Sequence, residues 1–254
     1  MVKPIFINKK IKQFKKKITI EGDKSLSIRF ALLASQAIGK SRAYNLLESE
    51  DVLSTLNCLK KLGVQVKWNK KNNFCEIIGN GLNSYVYKKN LILNGNNSGT
   101  CVRLLVSLLI NSPKKIKIVG DKSLSKRDMK RVISPLKQFG ATFYPKNKTT
   151  LPISIKGTDF IRPINYSELK GSSQCKSSVM LAALSAPGIT KLKCKASRNH
   201  TELLFKYLKI PIKIKKTKNF DFIEVKGKQN FKSFNYKIPS DISSGAFFIV
   251  LTLL

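Results

Sequence analysis

The run Gly-Asp-Lys-Ser-Leu-Ser occurs twice, at residues 22–27 and 120–125, and each copy is followed, one residue on, by an arginine, Arg29 or Arg127. Gly-Asp favours a turn, and serine is a good helix N-cap. Lysine and arginine then stand at a helix start, where free N–H groups and the helix dipole already favour an anion. Two such loops in one chain predict a ligand with more than one acidic group. The chain holds only seven arginines, at 29, 42, 103, 127, 131, 162 and 198, and otherwise uses lysine as its cation. Where lysine is the default, a retained arginine points to a need for the planar two-pronged guanidinium. Arg29, Arg103, Arg127 and Arg198 all sit in loop-to-helix segments rich in Gly, Ser, Asn and Thr, which is a phosphate or carboxylate signature. One such arginine alone would read as an ordinary surface residue.

Three further segments add donors. Gly95-Asn96-Asn97-Ser98-Gly99-Thr100 lets backbone approach an anion closely, because two glycines remove side-chain obstruction. Ser172-Ser173-Gln174 places two hydroxyls and an amide ahead of an amphipathic helix, and residues 197–201 form a fifth polar loop. Each alone is a capped helix. Five in one chain, four of them with an arginine, are an anion site, provided the supporting elements bring them to one face.

A longer repeat supplies that condition. A helical pattern passes into a β-rich segment and closes on a strand ending in glycine three times, at residues 59–68 to 76–81, 136–145 to 152–157, and 205–214 to 222–227. Lys209 stands in the third copy where the others have Gly63 and Gly140. A polar stretch between the halves of each copy reads as a hairpin connection. Such a period means three copies of one supersecondary unit packed together, a mixed α/β (α+β) fold in which equivalent strand-to-helix loops emerge at equivalent ends.

Composition constrains the rest. A hydrophobic content of 42% is ordinary for a globular chain of one or two domains, whereas a formal charge of +34 is not. The lysines are scattered, with short clusters at 9–17, 67–71 and 213–218, and no aromatic-interleaved motif, zinc spacing or basic helix accompanies them. The charge therefore reads as a lysine-rich solvated surface and codon bias before a nucleic-acid footprint. Five widely spaced cysteines without a Cys-x-x-Cys pair argue against a disulfide framework or zinc site, and a single histidine, His200, against a histidine-based metal site. The first seventeen residues lack the apolar core of a secretory signal, and the apolar run at 247–254 is too short to span a bilayer, so the expected location is cytoplasmic, without membrane association.

The series GDKSLSIR, NLLESEDV, NSGTCVRLL, GDKSLSKR, GSSQCKS, SRNHTE and PSDISSGAFF, in this order, resembles the 5-enolpyruvylshikimate-3-phosphate synthase family, and the resemblance covers nearly the whole chain from about residue 22 to 248. The related UDP-N-acetylglucosamine enolpyruvyl transferases are less similar; they carry Lys-Asn at the position of Lys24-Ser25 and a loop cysteine that residues 120–128 lack. The resemblance implies transfer of the enolpyruvyl group of phosphoenolpyruvate to the 5-hydroxyl of shikimate 3-phosphate with release of phosphate, through a tetrahedral intermediate and without metal or organic cofactor. It implies that Lys24 touches both substrates and that Ser25 and Arg29 hold the shikimate moiety. Ser172, Ser173 and Ser197 would bind the 3-phosphate and nearby hydroxyls. Gly99 and Arg127 would hold phosphoenolpyruvate in a loop shaped by Asn97 and Thr100, and Gln174 would lie between the ligands. Lys24 is the local candidate for a proton donor or charge stabiliser, a role for which burial and neighbouring cations prepare a lysine.

Asp128 replaces the proline usual after Arg127 in that family, placing a carboxylate beside an anion-binding arginine, and Glu21 replaces a proline before Gly22. The resemblance further implies two lobes of three repeats each, with the site in the cleft between them. On that pattern residues 22–238 are the three-repeat substrate-binding lobe, 1–21 an N-terminal strand of the second lobe, and 239–254 the opening of that lobe. The family's catalytic carboxylates then lie outside this chain, as in a truncated or split gene product or one whose remainder another polypeptide supplies, and the chain alone is expected to bind shikimate 3-phosphate weakly and turn over slowly, if at all. Two alternatives stand beside the enzyme: a substrate-binding lobe without catalysis, and a basic nucleic-acid-binding domain on a repeated α/β fold.

Overall fold

The computed structural model describes residues 15, 17–69 and 74–253. Strict alternation makes half-buried strands: in β-strand Ile189–Cys194, Thr190, Leu192 and Cys194 point inward and the residues between them outward. Helices of two kinds lie against the sheets. The first unit comprises α1 (Lys24–Ala34), β1 (Ile38–Tyr44), α2 (Glu50–Lys61), β2 (Gln65–Asn69) and β3 (Phe74–Asn80). The second comprises β4 (Ile92–Asn94), α3 (Gly99–Leu105) with a following 3₁₀ turn, β5 (Ile116–Val119), the one-turn α4 (Lys122–Ser125), α5 (Lys130–Gln138), β6 (Thr142–Tyr144) and β7 (Ile153–Lys156). The third comprises β8 (Asn165–Glu168), α6 (Ser173–Ala183), β9 (Ile189–Cys194), α7 (His200–Tyr207), β10 (Ile212–Lys216) and β11 (Asp221–Lys226). Last come β12 (Asn235–Lys237) and α8 (Ile242–Leu253).

Three four-stranded sheets result, ordered β12-β1-β3-β2, β4-β5-β7-β6 and β8-β9-β11-β10. In each, the first pair is parallel and the other two pairs are antiparallel. Parallel neighbours need a crossover, which α3 provides between β4 and β5, and α6 between β8 and β9. In the first sheet the equivalent strand comes from the far end of the chain: β12 pairs with β1 in the register Arg42↔Asn235. The threefold repeat is as the sequence predicts, but this closing strand carries no local signal, because its partner lies almost two hundred positions away in the chain.

The two helix kinds follow from their surroundings. Every residue of α1 from Leu26 to Ala34 is buried, as is every residue of α6 from Cys175 to Ala183. These inner helices, with α3, have neighbours all round. The outer helices α2, α5 and α7 bury one stripe and expose the other. The closing glycine has a packing cause in two repeats, where a Cβ would lie 2.3 Å from the Ser112 amide at Gly157 and 2.1 Å from the Ala183 carbonyl at Gly227. In the first repeat the tight position is Gly79, 2.3 Å from the Ala37 carbonyl, and not the expected Gly81, where the nearest atom is 3.4 Å away. Each tight glycine lets a strand lie directly on the chain leaving an inner helix. At the helix-to-strand turn Gly63 and Gly140 take φ of +84° and +112°, and Lys209 adopts φ 56° in the third copy.

Of the expected N-terminal strand, residues 1–14 and 16 fall outside the described residues; 17–21 carry no strand, only a Gly22–Ser240 bridge alongside. Among the described residues no helix is long and apolar enough to cross a membrane.

Candidate active site

Helices α1, α3, α6 and α7 begin at one end of the molecule, and their first turns touch. Arg29 of α1 is 3% exposed. Its Nε donates to Thr201 Oγ1 of α7 at 2.8 Å, its Nη2 to Ser177 Oγ of α6 at 2.9 Å, and its Nη1 to the Ser25 carbonyl at 3.0 Å. The hydroxyls of Ser177 and Thr201 bond each other at 2.7 Å. Burial lowers the Arg29 guanidinium to about 10, which still leaves it protonated at neutral pH. No carboxylate among the described residues lies at ion-pair distance; Glu202 and Asp23 act on it only from further off. A buried cation bonded solely to neutral groups retains the capacity to attract an anion.

The serine expected as N-cap is replaced in both copies by the aspartate two residues before it. Asp23 Oδ1 accepts from Leu26 N at 2.7 Å and Asp121 Oδ1 from Leu124 N at 2.6 Å. The carboxylate also complements the helix dipole. The same hexapeptide starts unequal helices: the apolar IRFALLA continues α1 for eleven residues, whereas KRDMK ends α4 after four.

A second cluster joins α3 and α6. Gln174 Nε2 donates to Thr100 Oγ1 at 2.8 Å, and Arg103 Nη1 to Gln174 Oε1 at 2.6 Å. Arg127 Nη2 donates to Asn97 Oδ1 at 3.0 Å. Gly99 lies beneath both arginines: a Cβ there would stand 3.4 Å from Nη1 of Arg103 and from Nη1 of Arg127. Ser98 and Ser172 cap α3 and α6 by accepting from Cys101 N and Cys175 N.

Behind these clusters lies an ion pair. Lys176, 0% exposed, meets Glu202, 5% exposed, at 2.5 Å, and Lys176 Nζ also donates to the Ser197 carbonyl at 3.4 Å. In the same short segment Ser197 Oγ, His200 Nδ1 and Glu202 Oε2 are buried without a hydrogen-bond partner. Burial lowers the His200 pKa from its ordinary 6.5, and the Arg29 cation lowers it further. The folded chain therefore holds His200 neutral where the unfolded chain takes up a proton, so stability is unaffected above about pH 7 and falls as pH drops through 6.5. Replacing His200 by Gln is expected to remove that loss; denaturation free energies of both chains between pH 5 and 8 provide the check.

The profile of EPSP synthase (3-phosphoshikimate 1-carboxyvinyltransferase) matches residues 8–254. The chain belongs to this family. A relative named 3-phosphoshikimate 1-carboxyvinyltransferase from Caldicellulosiruptor saccharolyticus is 40% identical over 245 residues, 96% of this chain and 55% of its own length. One of the same name from Vesicomyosocius okutanii is 42% identical over 235 residues, 92% of this chain and 52% of its own. A solved EPSP synthase from Acinetobacter baumannii superposes with TM-score 0.83 at 36% identity, covering 93% of this chain and 52% of that one. The chain thus spans about half the length of the relatives it matches, and its three helix/strand sheet units correspond to one lobe of the EPSP synthase fold.

Two expectations about this site need correction. Lys24 is not desolvated among cations: its side chain is 45% exposed and its neighbour is the carboxylate of Asp51, at 3.5 Å. Asp128 does not turn its charge toward Arg127. The amide of Lys130, at 2.8 Å, and the Thr149 side chain take up its carboxylate and hold its pKa below the ordinary range. It thereby helps start α5, as a capping residue does. Arg103 and Thr201 stand in segments that the sequence marks as anion loops, whereas Ser177 and the Lys176–Glu202 pair carry no ligand motif. Lys176, one turn beyond Ser172 in an otherwise uncharged helix, is the signal the sequence offers, but its partner lies across the fold.

Proposed function

We propose that this chain is the shikimate-3-phosphate-binding half of an EPSP synthase, in which the enolpyruvyl group of phosphoenolpyruvate passes to the 5-hydroxyl of shikimate 3-phosphate with release of phosphate. The observation that carries this reading is Arg29: a buried, protonated guanidinium bonded only to hydroxyls and a carbonyl. The orphaned Ser197 hydroxyl, with the Ser25 and Ser173 hydroxyls at the starts of α1 and α6, fits the 3-phosphate and ring hydroxyls of shikimate 3-phosphate. Lys24, Ser25, Arg29, Ser172, Ser173, Gln174 and Ser197 form this subsite. Gly99, bare between Arg103 and Arg127, fits the phosphate of phosphoenolpyruvate, with Asn97 orienting Arg127 and Gln174 bridging the two subsites. Lys24 is the group able to reach both ligands.

A second reading, binding without turnover by this chain alone, is favoured by the carboxylates around the site. Asp23 caps α1, Asp51 pairs with Lys24, Asp128 bonds Lys130 N, and Glu168 accepts from Ser172 N at 2.8 Å. These four are each engaged by a hydrogen bond or an ion pair, and Glu202 by Lys176. We assign residues 22–238 to the binding lobe, 1–21 to an N-terminal strand of a second lobe and 239–254 to the opening of that second lobe. The exposed Phe247, Val250 and Leu253 of α8, with Ile20 against Gly245, suit a face covered by further polypeptide.

Calorimetry with shikimate 3-phosphate, then with phosphoenolpyruvate in its presence, tests this assignment. Gly99→Ala is expected to weaken phosphoenolpyruvate by about tenfold or more while leaving shikimate 3-phosphate nearly unchanged, because the new methyl occupies the space in front of both guanidiniums and a factor of ten needs only about 1.4 kcal/mol. No detectable binding of shikimate 3-phosphate by the parent chain would refute the functional reading.

A further inference from the structure

We propose that the solvent face of the third sheet is a docking surface for single-stranded nucleic acid, with Phe222 as its stacking platform. The pairing register sets Phe222 of β11 directly between Lys193 of β9 and Lys215 of β10. In the next row Glu224 lies between Lys191 and Lys213. Asn165 and Ser167 of β8 extend the two rows. Alternation turns all of these outward, because Thr190, Leu192, Ile223 and Val225 occupy the core face. Phe222 is 41% exposed in the middle of the sheet, where a polar side chain would serve solvation better. The Lys193 ammonium stands 4.4 Å from the Phe220 ring centre and 6.0 Å from that of Phe222. Shallow clefts of about 220 and 440 Å³ flank Phe222, one lined by Asn165, Ser167, Lys191 and Lys193, the other by Lys213, Lys215 and Thr217.

The occupant follows from charge and from the aromatic surface together. Glu224 is already met by Lys191 at 3.7 Å, which leaves Lys193, Lys213 and Lys215 with no carboxylate at ion-pair distance among the described residues, on a chain of net charge +34. On the first sheet the comparable cation, Arg42 over Phe74, is neutralised by Glu76. Cations spaced around an exposed ring match a backbone of phosphates whose bases are free to stack, whereas a duplex hides its base faces. Lysines 213 and 215 are part of the 213–218 cluster, which looked unaccompanied by aromatics in the sequence. The sheet register supplies them from β11. None of these residues belongs to the substrate site, so this surface stands or falls independently of the enolpyruvyl transfer.

Fluorescence anisotropy of the full chain with a labelled oligothymidylate of about twelve nucleotides, measured across a salt series, tests the proposal. Phe222→Ala and Phe222→Leu are both expected to weaken binding about tenfold, since stacking on one ring contributes that much per base. Phe222→Leu retains most of the apolar contact area, so a loss shared by both variants at an unchanged thermal midpoint reports stacking rather than unfolding. The double change Lys193→Gln/Lys215→Gln is expected to lower the slope of log K against log salt by about 1.4, the value for two single-strand phosphate contacts. Lys88→Gln/Lys89→Gln, on a lysine-lined groove elsewhere, should leave affinity and slope unchanged. The proposal is overturned if Phe222→Ala is neutral, if the distant lysine pair matters as much as the sheet pair, or if duplex DNA or heparin binds as tightly as the single strand.

Discussion

Lys176→Met is expected to lower the free energy of unfolding by about 3–5 kcal/mol, read from the denaturant midpoint at constant slope. The parent ammonium is 0% exposed and meets Glu202, itself 5% exposed, at 2.5 Å. Methionine fills much of the same volume but leaves the Glu202 carboxylate buried without a counter-charge, and its Oε2 has no hydrogen-bond partner even in the parent. The double change Lys176→Met/Glu202→Met should recover most of the loss, because an apolar pair removes the desolvation of both charges. Affinity for shikimate 3-phosphate should not recover with it. Lys176 also holds the Ser197 carbonyl, at 3.4 Å, and so fixes the segment that presents the Ser197 hydroxyl. A double variant that regains both stability and affinity would reduce the pair to a packing element; one that regains stability alone identifies it as a positioning device.

Arg29→Ala is expected to abolish measurable shikimate 3-phosphate binding, a loss of about a hundredfold or more, and to cost about 2–3 kcal/mol of stability. Hydrogen bonds to a charged group contribute about 1.5–3 kcal/mol each, and a buried acceptor left unmade costs a similar amount. Three acceptors on three chain segments depend on this guanidinium: Thr201 Oγ1, Ser177 Oγ and the Ser25 carbonyl. The two hydroxyls retain each other at 2.7 Å, which limits the stability cost. Arg29→Lys separates charge from geometry. An ammonium keeps the positive charge but does not reproduce the planar fork, so affinity should still fall about tenfold while most stability is retained. Calorimetry and thermal unfolding on the same samples distinguish the two contributions; undiminished affinity in Arg29→Lys would show that charge alone suffices.

Much of this was legible in the chain itself. Helix-to-strand turns, strand alternation and closing glycines are local properties, so the three repeats at 59–81, 136–157 and 205–227 could be read directly, and the polar loops at their helix starts with them. The duplicated Gly-Asp-Lys-Ser-Leu-Ser marked two helix N-termini correctly, although the competition between aspartate and serine for the cap was resolved by reach: Asp23 sits three residues before the Leu26 amide it binds. The residues that follow each copy, apolar in one and charged in the other, explain why the two helices differ in length.

What the tertiary structure decided are the relations between distant segments. Arg29 and Thr201 are 172 positions apart, and only the packing of α1 against α6 and α7 makes the arginine a buried clamp rather than a surface cation. The same holds for β12, which completes the first sheet from residue 235, and for Phe222, which sheet register places between two lysines that the sequence keeps apart. Local signals carry turn chemistry and periodicity because these depend on neighbours within one or two turns of chain. Burial, charge pairing and the direction of a side chain depend on which surfaces the fold presses together, and those were settled only when the three units closed on one another.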